Sequence, residues 1–85
     1  MNTVKQTEHL LALAKQLGYV VRYDHFGGHG GGPCELSGQK FLFVDLALTA
    51  AEQLDLLRDS LGEDPRVNSM KLPEVIRQSL SKRAA

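Results

Sequence analysis

The stretch Lys40-Phe41-Leu42-Phe43-Val44-Asp45 is apolar on both alternating sets of side chains. On an extended backbone Phe41 and Phe43 project to one side, and Leu42 and Val44 to the other. With both faces apolar, this strand is expected at the centre of a small sheet. Just before it, Ser37-Gly38 is a hairpin-type turn signal that joins it to a short strand at Cys34-Glu35-Leu36. Further upstream, Tyr19-Val20-Val21-Arg22-Tyr23 is β-branched and aromatic, with Tyr19, Val21 and Tyr23 sharing a face, and supplies a third strand.

Helical periodicity takes over on either side of these strands. From Val4 to Leu17, the residues Leu10, Leu13, Ala14 and Leu17 form one apolar stripe. Thr3 and Gln6 have capping-box spacing, Lys15 suits the negative end of the helix dipole, and Gly18 closes the last turn. After Thr49, which forms a second capping box with Glu52, Ala50, Leu54, Leu57 and Leu61 recur at helical spacing as far as Gly62. Glu63-Asp64-Pro65-Arg66 reads as a polar connection, after which Val67 and Met70 pack back onto the core. Pro73 opens a third helix, Glu74 to Arg83, with Leu72, Ile76 and Leu80 on one face.

The expected fold is one small α+β domain spanning residues 1–85, in the order αβββαα. A three-stranded, mainly antiparallel sheet packs against two helices, with a short third helix at the C-terminus. The expected core is Leu13, Leu17, Val21, either Phe41 or Leu42, Val44, Leu54, Leu57 and Leu61. The other face of the sheet is partly apolar, so that face, or an open sheet edge, is expected to support a homodimer.

Hydrophobic residues make up 42% of the chain and charged residues 24%, a globular balance and not a disordered one. Ten basic residues offset ten acidic ones, so no field of one sign draws the chain to nucleic acid or to an anionic membrane. The Lys82-Arg83 pair complements a helix C-terminus. A single cysteine suits a reducing compartment. The polar start of the chain lacks a signal-peptide core, and no apolar run reaches the roughly 18 residues a membrane span requires. The expected location is the cytoplasm.

Chemistry concentrates in Asp24-His25-Phe26-Gly27-Gly28-His29-Gly30-Gly31-Gly32-Pro33-Cys34, which holds five of the eight glycines, two of the three histidines and the only cysteine. Imidazole and thiolate are zinc ligands, so His25, His29 and Cys34 are candidate metal ligands, with a fourth from Asp24, Asp45 or His9. Consecutive glycines can also cradle a phosphate in exposed backbone N–H groups. Yet the run lacks the Gly-Lys-Ser/Thr of a P-loop, the G-x-G-x-x-G spacing fails at Pro33, and a strand follows where a helix N-terminus would be needed. Cys34 as a nucleophile with His25 or His29 as base lacks a helix dipole to stabilise the thiolate. The remaining reading is a contact loop without chemistry of its own, in which Asp24, Phe26, Gly27, Gly28, Gly30, Gly31 and Gly32 meet a partner. No catalytic set assembles elsewhere in the sequence. Asp45 has no second carboxylate beside it and reads as a polar strand end. His9 reads as a histidine on the first helix, and the tyrosines read as core.

From Leu11 to Leu61 the chain resembles a group of short uncharacterised bacterial proteins. The resemblance rests on a helix ending in Leu-Gly, the strand Tyr-Val-Val-Arg-Tyr, the glycine loop, Pro-Cys-Glu-Leu-Ser-Gly-Gln-Lys, and Phe-Leu-Phe-Val-Asp before a leucine-rich helix. It implies a compact bacterial cytosolic domain and carries no known activity. More distantly, the order of elements is similar to the front part of the ImmA/IrrE-type metallopeptidases. In those enzymes the long helix carries His-Glu-x-x-His, two zinc ligands one turn apart with a glutamate that activates water. The helix from Ala50 to Leu61 contains no histidine, so no peptidase residue carries over. The expected function is that of a non-catalytic module that binds itself or another protein without a cofactor, and the alternative is a zinc protein built on His25, His29 and Cys34.

Overall fold

In the computed structural model, which describes residues 2–81, the first helix, α1, runs Thr3–Gln16. Its N-cap is Asn2, whose side chain accepts a hydrogen bond from the Lys5 N–H at 2.8 Å. Asparagine is a stronger N-cap than threonine, so the helix gains a residue and Thr3, the cap expected from the sequence, enters the first turn. Leu17 ends the helix and donates its N–H to Leu13 O at 3.0 Å.

Three strands follow: β1 (Tyr19–Asp24), β2 (Gly31–Leu36) and β3 (Gln39–Asp45). Their spatial order is β1-β3-β2, so the strand with two apolar faces is central, as its composition requires. The β2–β3 pair is antiparallel with Cys34 opposite Phe41, and the β1–β3 pair is parallel with Val21 beside Leu42. The sheet is therefore mixed. β2 carries the chain back to the end of the sheet where β1 began, and β3 enters the gap between them.

β2 begins at Gly31, three residues before the expected Cys34. Proline within it is tolerated for a geometric reason. The Asp45 N–H donates to Gly30 O at 3.0 Å, which makes Gly30 and Asp45 a hydrogen-bonded pair. Alternation along the ladder then turns the backbone of Pro33 away from β3, where no N–H is needed.

The second helix, α2, spans Ala50–Gly62 and starts with the expected capping box: the Glu52 N–H donates to Thr49 Oγ1 at 3.1 Å and the Thr49 N–H to Glu52 Oε1 at 2.8 Å. Ala50, expected in the buried stripe, lies exposed in the first turn, while Leu54, Leu57 and Leu61 are buried. The polar connection becomes a 3₁₀ helix, Pro65–Ser69, because Asp64 caps it by accepting from the Arg66 N–H at 3.0 Å. The last helix, α3, covers Glu74–Ser81; the Lys82-Arg83 pair and the expected end of the third helix lie outside the described residues.

The core lies between the helices and one face of the sheet. Leu10, Leu42, Val44, Leu57 and Leu61 are fully buried, with Leu13, Leu17, Leu54, Val67, Ile76 and Leu80 around them. The choice between Phe41 and Leu42 falls on Leu42, and Val21, Met70 and Leu72 pack half-buried against the cluster. Each such leucine contributes about 1.5–3 kcal/mol by leaving water.

Polar ties bind the elements together. Arg66 pairs with the buried Asp64 at 2.7 Å and donates to Leu17 O at 2.9 Å, while Tyr19 Oη donates to Asp64 at 2.8 Å. The Arg66 guanidinium holds the Asp64 carboxyl well below its ordinary range, although burial opposes it. Burial in turn pushes the Tyr19 phenol up, and its bond to Asp64 adds to the shift. Arg58 on α2 and Ser79 on α3 both donate to Gln6 Oε1 on α1, at 2.6 and 3.0 Å, and join the three helices. Among the described residues, no helix is long and apolar enough to cross a membrane.

Candidate functional site

The glycine-rich run divides in two: Gly31 and Gly32 enter β2, and residues 25–30 arch across the end of the sheet where β1 and β3 finish. The arch contains a tight turn. The His29 N–H donates to Phe26 O at 3.3 Å, and Gly27 and Gly28 between them have φ of 68° and 82°. Positive φ at both central positions is the mark of a type I′ turn and explains a Gly-Gly pair there.

Beneath the arch sits Asp45, the last residue of β3, with no solvent exposure. Its carboxylate accepts from the Ala47 N–H at 2.9 Å, the Phe26 N–H at 3.2 Å and the Gly30 N–H at 3.3 Å. The Ala47 bond is the largest influence holding its carboxyl below the usual range; burial opposes, and the N–H groups of Phe26, Gly30 and Gly28 add to the lowering. The backbone N–H cradle weighed above as a phosphate site therefore closes on the chain's own carboxylate. A polar strand end by sequence is an internal anchor in the fold. A local signal for it exists, since an aspartate at a strand end often bonds the N–H two residues on.

The candidate ligands occupy different places. His25 is exposed next to Asp24, whose carboxylate accepts the His25 N–H at 2.7 Å. His29 is exposed, and its ring lies over Gly27 at 3.6 Å from where a Cβ would stand. Cys34 is an exposed free thiol within β2. His9 faces a cleft between α1 and α3. Among the described residues, no three histidine, cysteine, aspartate or glutamate side chains are gathered so as to hold a metal ion.

What the fold does bring together is aromatic. Phe41 and Phe43 project from β3 away from the helices, with rings stacked at 5.6 Å and 12°. Phe26, from the arch, meets Phe43 edge-on at 5.6 Å and 76°. Register places Val20 and Arg22 of β1 and Cys34 and Gly32 of β2 beside these rings on the same face. The three phenylalanines are only half-buried, and this side of the sheet carries no helix. A depression of about 200 Å³ lies between Tyr19, Pro33, Cys34, Glu35 and Lys40. Two larger cavities, about 320 and 330 Å³, lie among the helices and have no wall from the arch.

Sequence reasoning separated the phenylalanines from the Leu42 and Val44 face but did not connect Phe26 with them, because that contact depends on how the arch returns over β3. Compared with protein-family models, with curated proteins and with solved structures, the chain matches none.

Proposed function

We propose that this chain is a non-catalytic protein-interaction module whose contact surface is the helix-free face of the sheet. One observation carries the reading: three phenylalanine rings in continuous contact, half-exposed, on a face that the fold's own helices leave uncovered. Aromatic side chains dominate the centres of protein interfaces because they exclude much water at small entropic cost. The anchoring of the arch by Asp45 supports it, since Phe26 is presented on a hydrogen-bonded turn and loses little freedom on binding.

Recovery of bound protein from the native host tests this. The wild-type chain is expected to retain a partner that the Phe41→Ser and Phe43→Ser variants, with unchanged circular dichroism, release. A partner retained equally by both variants would refute the assignment of this face.

A further inference from the structure

The two edges of the sheet differ in what they offer another strand. On the β2 side the backbone of Pro33 points outward, so the middle of that edge has no N–H to donate. The β1 side has no such block. The Leu46 N–H donates to Asp24 O at 2.8 Å, which directs the backbone of Asp24 towards β3. In a parallel ladder the residues alternate, so Arg22 also faces β3 while Val21 and Tyr23 turn their N–H and C=O groups outward. β1 lies against β3 and α1, its Tyr19 end is tied to Asp64, and its second half, Arg22 to Asp24, is exposed.

The charges on this edge are self-complementary. Arg22 and Asp24 flank Tyr23 and share the helix-free face. Among the described residues Arg22 takes part in no ion pair, and the Asp24 carboxylate accepts from the neighbouring His25 backbone N–H and enters no ion pair. We propose that β1 pairs antiparallel with β1 of a second copy about a two-fold axis at Tyr23, joining the two sheets into one of six strands. In that register Tyr23 stands opposite its own counterpart, and each Arg22 stands opposite the Asp24 of the other chain, twice over by symmetry. Because the axis runs perpendicular to the sheet, both phenylalanine strips come to lie on one side. The proposal rests on the reading of the chain as an interaction module, but it places self-association at the β1 edge and not on the aromatic face.

Sedimentation of the full chain from micromolar to millimolar concentration tests it. The wild type is expected to dimerise, and Arg22→Asp to weaken the dimer by about tenfold, since two attractions become two repulsions. The double variant Arg22→Asp with Asp24→Arg restores it by exchanging the charges. Tyr23→Pro abolishes it with the fold intact, because the N–H removed is not used by β3. Phe41→Ser leaves dimerisation unchanged. A wild type that stays monomeric at millimolar concentration overturns the proposal, as does a double variant no stronger than the single one. Dimerisation lost in Phe41→Ser but kept in Arg22→Asp overturns the edge while leaving the aromatic face as the contact. Should Tyr23→Pro fail to fold, the charge exchange alone decides.

Discussion

Replacing Gly31 by alanine tests how the arch and β2 are seated on β3. Gly31 has a φ of 97°, and a Cβ built on it would lie 2.2 Å from Phe43 O and 2.7 Å from Phe43 C. Both atoms belong to the central strand, so no side chain can swing aside. Relief requires the start of β2 to lift by roughly 1 Å to regain ordinary contact distance. That lift strains the Asp45 N–H to Gly30 O bond and the Gly32–Phe43 pair next to it. Each bond contributes about 0.5–1.5 kcal/mol net. The left-handed backbone adds about 1–2 kcal/mol against any residue with a Cβ. The expected loss is about 2–5 kcal/mol, a large part of the total stability of a domain this small. Gly28→Ala is the control. Its φ is 82°, but a Cβ there would meet no atom within 4 Å, so only the backbone term of about 1–2 kcal/mol applies. Thermal unfolding followed by circular dichroism should show Tm falling by roughly 10–30 °C for Gly31→Ala and by roughly 5–15 °C for Gly28→Ala. Equal losses in the two variants would refute the close approach of β2 to β3 at Phe43.

Acid should unfold the protein through Asp45 and Asp64. Both carboxyls are held below the ordinary 3.8, so as pH falls the unfolded chain takes up protons first. Their stabilisation is fully present above about pH 4 and is lost as pH falls further. Urea midpoints at pH 6 and pH 3 should show the drop, and the drop should shrink in an Asp45→Asn, Asp64→Asn double variant. In the β2–β3 turn Ser37 has a φ of 51°, which asparagine adopts more readily, so Ser37→Asn should stabilise by about 0.5–1 kcal/mol in urea unfolding. The two faces of β3 should answer differently to truncation. Leu42→Ala, in the closed core, should cost about 2–5 kcal/mol. Phe41→Ala, on the open face, should cost about 1–2 kcal/mol from partial burial and its ring contact. Similar losses from both would contradict the one-sided cover of the sheet.

Local chemistry determined much of this protein. The leucine spacing made the helices, Thr49 and Glu52 started α2, Ser37-Gly38 turned the hairpin, and two apolar faces put residues 40–45 at the centre of the sheet. These outcomes depend on neighbours within a few residues, so they can be read along the chain. Tertiary structure decided the rest. Whether β3 pairs with β1, and so makes the sheet mixed, depends on where β3 inserts after β2 has returned, and no local residue records that. Leu42 lies in the core and Phe41 does not, because the helices cover only one side. Asp64, already paired with its near neighbour Arg66, is buried against Tyr19 because packing brings together residues 45 apart in the chain. The glycine run marked a special backbone from the outset. Its meaning came only when the arch closed over Asp45, since a cradle of N–H groups attracts whichever anion the fold places nearest, and here the fold supplies its own.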